Sequence, residues 1–156
     1  MNGSLEFHTF HSPALEGNPL GDPSDRELLV YLPPGYRSSY ARYPAVYLLH
    51  GFTGCARAWT NASAFSPTVP ERLDALIAAG AMPPVIAAFV DGWTALGGSQ
   101  WINSPAIGRY RDYVAKDVVG FVDARLRTVP APSARADGAG TVRSCASTKP
   151  TTSFAT

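Results

Sequence analysis

Short apolar runs, each closed by a turn signal, organise the first part of the chain. Glu27-Leu28-Leu29-Val30-Tyr31-Leu32 stops at Pro33-Pro34-Gly35, where proline withdraws the ladder donor. Ala45-Val46-Tyr47-Leu48-Leu49 runs into His50-Gly51, and Val85-Ile86-Ala87-Ala88-Phe89-Val90 runs into Asp91-Gly92. Their near-continuous apolarity predicts strands buried on both faces, in a sheet covered by helices. Leu5-Glu6-Phe7-His8-Thr9-Phe10 instead alternates with period two, which predicts a half-exposed edge strand.

Helical marks fill the intervals. Pro70 to Gly80 opens with proline and an acid, sets Leu73, Leu76 and Ile77 on one face, and closes on glycine. Tyr110, Tyr113, Val114, Val118, Phe121 and Val122 recur at helical spacing and predict a second, longer helix ending near Leu126. Strand and helix alternating in this way predict an α/β fold. Beyond Val129 the pattern lapses, and from Ala136 to Thr156 the chain is rich in Ser, Thr, Ala and Gly, with Phe154 as its lone aromatic. Residues 1–135 therefore read as the folded region, and residues 136–156 as a disordered or out-of-frame tail.

Composition narrows the function classes. A chain of 156 residues that is 46% hydrophobic and 16% charged has enough apolar material for an ordinary domain core. A formal net charge of +1 gives no electrostatic case for nucleic acid or for an acidic membrane surface. No apolar run nears the ~20 residues needed to span a bilayer. The start, Met1-Asn2-Gly3-Ser4-Leu5-Glu6, lacks a basic and apolar leader, so a cytoplasmic location is expected. Cys55 and Cys145 support neither a disulfide framework nor a four-ligand zinc site. Asp91, Asp112 and Asp117 have no metal-ligand spacing with histidine or cysteine, and no lysine follows Gly97-Gly98 at the phosphate-loop offset. No metal and no cofactor are expected.

The candidate chemistry lies where the second apolar run meets His50-Gly51-Phe52-Thr53-Gly54. A buried strand that ends in a glycine-rich turn exposes backbone N–H groups. Serine hydrolases of the α/β type place half of their oxyanion hole on such a corner. On these residues alone the plainer reading is a tight turn with a hydrogen-bonded histidine. A nucleophile should follow on a Gly-x-Ser-x-Gly elbow, and no window of the chain fits that pattern. Ser63, Ser66, Ser99, Ser104, Ser144 and Ser147 lack an evident base and acid, since His8 and His11 lie on the expected edge strand. Cys55 has no evident histidine partner and reads as a packed small residue. Trp59, Trp93 and Trp101 are candidates to line a substrate cleft at the carboxyl edge of the sheet, although loop aromatics shielding the core are an equal reading.

Taken in order, several motifs resemble the putative-esterase family of α/β hydrolases. They are Ser12-Pro13-Ala14-Leu15-Glu16-Gly17-Asn18-Pro19-Leu20-Gly21-Asp22-Pro23, Val30-Tyr31-Leu32-Pro33-Pro34-Gly35-Tyr36, and Tyr43-Pro44 leading to Leu48-Leu49-His50-Gly51. Pro83-Pro84-Val85-Ile86, Asp91-Gly92, Gly97-Gly98-Ser99-Gln100, Asn103-Ser104-Pro105 and Gly108-Arg109-Tyr110 extend the likeness. That family includes S-formylglutathione hydrolases, feruloyl esterases and mycolyl transferases. The resemblance implies the N-terminal half of an α/β-hydrolase three-layer sandwich with a mostly parallel sheet, lacking the C-terminal half. It also implies ester hydrolysis through a serine acyl-enzyme, with a small-molecule ester as substrate. By resemblance, the Phe52 backbone N–H is an oxyanion donor, with His50 and Gly51 shaping the loop. Such donors contribute about 3–4 kcal/mol each in enzymes where one has been removed.

Full family members are about twice as long, and in register their elbow should begin near Ala136 to Arg143. That stretch shows neither an apolar strand nor the small-x-Ser-x-small turn. The chain alone is therefore expected to be inactive, and the alternative is a non-catalytic binding or interaction fragment. Self-association through an exposed sheet edge is the other contact expected.

Overall fold

The apolar runs form the middle of a five-stranded sheet in the computed structural model, which describes residues 1–129 and the backbone of residues 135–138. The strands are β1 (Ser4–His11), β2 (Asp25–Leu32), β3 (Ala45–Leu49) and β4 (Ile86–Val90). A small separate ribbon of β5 (Asn103–Ser104) and β6 (Gly108–Arg109) comes next, followed by β7 (Arg135–Gly138). The main sheet has the order β1-β2-β4-β3-β7. β2 pairs antiparallel with β1 and with β4, whereas β3 pairs in parallel with β4 and β7.

The expected mostly parallel sheet is thus corrected to a mixed one, in which β2 runs against its neighbours. Burial on both faces is as expected, since every residue of β4 and the last five of β2 are buried. Apolarity reports cover by helices, which a central antiparallel strand can have as fully as a parallel one. β1 is the edge strand foreseen from its alternation, with Phe10 turned inward and Phe7 outward.

At the opposite edge the reading from sequence needs a second correction. Residues 136–143 showed no strand pattern, yet the backbone of 135–138 is extended and pairs in register with β3, Ala45 opposite Arg135 and Leu48 opposite Gly138. Ladder hydrogen bonds come from backbone groups, so a segment without large apolar side chains can take the place. Residues 139–156, the rest of the expected tail, lie outside the described residues.

One helix covers each face. α1 (Val69–Ala78) starts on a capping box, in which Thr68 Oγ1 accepts the Glu71 N–H and the Glu71 carboxylate accepts the Thr68 N–H at 2.7 Å. Its Leu73 and Ile77 pack with Leu29, Tyr31, Ala87 and Phe89 of the sheet. Leu76, expected on the same face, is exposed instead, and the buried residues of the helix are Pro70 and Asp74. The second helix, residues 110–125, is α-helical at both ends with a π-helical stretch at Tyr113–Val118 between them. There the Val119 N–H reaches the Val114 carbonyl, five residues back. It packs Tyr110, Tyr113, Val114, Val118 and Val122 against Leu28, Val30, Tyr47 and Val90 on the other face. Among the described residues no helix is long and apolar enough to cross a membrane.

Candidate active site

Because β3 and β4 are parallel and in register, with Leu49 opposite Val90, their carboxyl ends set His50-Gly51-Phe52 beside Asp91-Gly92-Trp93. His50 is buried between the two turns. The Gly92 N–H donates to His50 Nε2 at 2.9 Å. That nitrogen must therefore present its lone pair, leaving the hydrogen on Nδ1. Nδ1–H in turn donates to the Gly51 carbonyl at 2.9 Å, and the Gly54 N–H donates to the same carbonyl at 3.0 Å.

These bonds determine where the next donor points. The Gly51 carbonyl and the Phe52 N–H belong to one planar trans peptide and face opposite ways, so holding the carbonyl holds the N–H. Phe52 N–H has no acceptor among the described residues, whereas the following N–H, of Thr53, is taken by the Gly97 carbonyl at 3.0 Å. With its Nε2 lone pair taken by the Gly92 N–H, the His50 ring links the two turns.

The facing loop, residues 92–101, closes on itself. The Ser99 N–H bonds the Gly92 carbonyl at 2.8 Å, and buried Thr94 Oγ1 accepts from Leu96 and Gly98. Gly98, at φ +149°, lies against the backbone of Phe52 and Thr53, where a Cβ would approach the Thr53 nitrogen to 3.4 Å. Two residues that are not glycine adopt left-handed backbone here, Thr53 at φ +66° and Trp101 at φ +56°. For a β-branched and a bulky residue this is strained geometry, of the kind that collects at functional sites.

The three tryptophans go to three different places. Trp59 packs in the apolar layer beneath α1 with Leu29 and Phe89, and its indole Nε1 is buried without a partner among the described residues. It belongs to that layer and not to the corner. Trp93 is half exposed at the end of β4. Trp101 donates from Nε1 to the His50 carbonyl at 2.9 Å and sets its ring edgewise to the imidazole, 5.1 Å between centroids. Phe52, Leu96 and Ile102 add exposed apolar side chains to these loops.

A buried arginine is the residue that the sequence reading missed. Arg26, 6% exposed, donates to the Trp93 carbonyl at 2.7 Å and stands 3.9 Å from Asp91 Oδ2. Its guanidinium lies over the rings of Tyr110 and Tyr113. Burial pushes the Tyr110 phenol up to about 12, against the opposing pull of Arg26. Asp91 itself accepts from the Ala56 and Trp93 N–H groups, and Tyr113 Oη–H donates to its carbonyl at 3.0 Å. A signal for Arg26 was present, because period two places it on the inward face with Leu28, Val30 and Leu32.

No serine hydroxyl among the described residues bonds a histidine. Ser99 is buried, with Oγ accepting the Trp101 N–H at 3.4 Å, and the backbones of Ser63 and Ser66 pair in an isolated antiparallel bridge. His11 lies at the carboxyl side of the sheet, but on the outer strand, with both ring nitrogens taken by Asp25 and Glu16. His8, also on β1, meets Phe121 edgewise. No grouping of His, Cys, Asp and Glu among the described residues suits a metal ion.

This fold has solved counterparts. A ferulic acid esterase superposes with a TM-score of 0.73 at 20% identity, covering 87% of this chain and 49% of its own. A CE1 ferulic acid esterase from Anaeromyces mucronatus gives 0.63 at 17%, covering 86% and 47%. An S-formylglutathione hydrolase from Agrobacterium tumefaciens gives 0.61 at 13%, covering 87% and 48%. At such identities the likeness is one of fold, and this chain spans about half the length of each. No curated protein matches it. Residues 23–136, most of the chain, match the family described as "Putative esterase", and the protein belongs to that esterase family.

Proposed function

We propose that the corner of His50, Gly51 and Phe52 is the oxyanion-stabilising half of a serine carboxylic-ester hydrolase that acts on small-molecule esters, and that residues 1–156 alone do not complete the reaction. The observation that carries this reading is the Gly51 carbonyl held by two donors, which presents the Phe52 N–H with no acceptor among the described residues. When a nucleophile adds to an ester carbonyl, the oxygen takes up negative charge. A donor already aimed at that position stabilises the transition state without reorganising. Acyl transfer of this type needs no cofactor.

The missing part is the nucleophile. In the family pattern, an elbow follows the strand that lies beside the central strands. Here β7 is followed by Ala139-Gly140-Thr141-Val142-Arg143, without a serine. A fluorophosphonate probe and p-nitrophenyl acetate test the inactivity. The expected result is no labelled serine and no turnover, and stoichiometric labelling of one serine would overturn it. Titrating benzoate, an oxyanion of product type, into the ¹⁵N-labelled chain tests the corner. A saturable shift of the Phe52 amide signal is expected, and its absence would remove the oxyanion reading.

A further inference from the structure

We propose that Trp101 is a positioning residue for the oxyanion corner and not a wall of the substrate cleft, an inference that rests on the oxyanion reading of Phe52. Several independent features converge on its side chain. The indole N–H is aimed at the His50 carbonyl at 2.9 Å, and that carbonyl shares its peptide plane with the Gly51 N–H. The ring stands edgewise to the His50 imidazole, at 66°. Its outer edge lies on Gly92 so closely that a Cβ there would meet Cη2 at 2.4 Å and Cζ3 at 2.7 Å.

Gly92 is the residue whose N–H bonds His50 Nε2. One indole therefore restrains both partners of that bond. The restraint continues through the ring: Gly92 N–H to Nε2, Nδ1–H to the Gly51 carbonyl, and across that peptide to the Phe52 N–H. A tryptophan that only filled space would need neither this hydrogen bond nor a left-handed backbone. At φ +56° the conformation is one that bulky residues avoid unless surrounding contacts hold them in it. The contacts that hold Trp101 are those that hold the corner.

The experiment uses the full ¹⁵N,¹³C-labelled chain. In the wild type, a through-hydrogen-bond coupling should link Trp101 Nε1 to the His50 carbonyl, and the His50 ring nitrogens should report a single Nδ1–H tautomer. Trp101→Phe keeps an apolar ring and removes the donor. In that variant the two His50 nitrogen signals should move toward each other. The Gly92 and Thr53 amides should exchange about tenfold faster, the shift expected for one lost hydrogen bond. A purely space-filling tryptophan would lower Tm on the same change while leaving the His50 nitrogens and these exchange rates untouched, and that result would overturn the proposal. Should Trp101→Phe fail to fold, the wild-type coupling decides, because its absence overturns the proposal too. The benzoate titration of wild-type protein is a separate readout. A Phe52 shift there, with unaltered His50 in Trp101→Phe, would retain the oxyanion corner and reject only the role of Trp101.

Discussion

The Tyr31 phenol donates to Asp74 Oδ1 at 3.0 Å in the layer between β2 and α1. The same buried carboxylate accepts the Asn2 N–H at 2.7 Å and the Gly3 N–H at 2.6 Å, so one side chain ties the start of β1 to a helix and to the neighbouring strand. Burial alone would push the Asp74 carboxyl up, and the bonds from Asn2, Gly3 and Tyr31 outweigh it and hold it below its ordinary 3.8. A depressed folded value contributes stability that is present above that ordinary value and lost as pH falls through the folded one. Asp74→Asn should cost about 2–4 kcal/mol in urea denaturation at neutral pH and make the acid limb of stability shallower. An unchanged acid limb would remove Asp74 from this role.

His11 provides the opposite pH dependence. Its Nδ1 lies 2.8 Å from Asp25 and its Nε2 2.7 Å from Glu16, and only the doubly protonated ring can donate to both. The bond to Glu16, then that to Asp25, raises its pKa above 6.5. This contribution is present below pH 6.5 and lost as pH rises through the folded value. An NMR titration should place the His11 transition above 6.5, and Glu16→Gln should lower it. A transition at or below 6.5 would contradict the paired geometry.

Two glycine substitutions should diverge. Gly92→Ala drives a methyl into the Trp101 ring and Ser99 Oγ, and should cost about 1–3 kcal/mol, as overpacking does, with a change in Trp101 fluorescence. Gly120, exposed on the second helix, has open space where a Cβ would stand. Gly120→Ala should gain about 0.5–1 kcal/mol from helix propensity. Equal thermal shifts for the two variants would refute the steric account of Gly92.

Replacing Arg26 should be costly. Arg26→Met leaves the Trp93 carbonyl without its donor and Asp91 without its cationic neighbour, an expected loss of about 2–4 kcal/mol. Arg26→Lys should recover little, because an ammonium cannot both reach the carbonyl and stack on two tyrosines. Chemical denaturation of the pair checks this, and a lysine variant as stable as wild type would count against the geometry.

Much of the scaffold was legible along the chain, and the reasons are local. The run Ala45–Leu49 became β3 with the bounds read from sequence, and Val85–Val90 became β4 less its first residue. Both are short, apolar and closed by turn residues. Thr68 and Glu71 cap α1 through contacts three residues apart, and the position of the corner at His50-Gly51-Phe52 follows from the strand that precedes it. Where the period was ambiguous the reading slipped. Leu76 shares a nominal face with Leu73 and Ile77 yet lies outside the contact with the sheet.

What the sequence by itself determined is the strands β1 to β4, the two main helices and the family, because these depend on periodicity, capping and ordered motifs within short windows. Tertiary structure alone decided the antiparallel course of β2, since burial is the same whichever way a strand runs, and the place of β7, whose pairing is made by backbone groups that carry no side-chain signature. It also decided that Trp101 reaches His50 and that Arg26 reaches Trp93. Those contacts join residues 51 and 67 positions apart. No local pattern encodes them, because each side chain is oriented by packing between strands that meet only when the sheet closes.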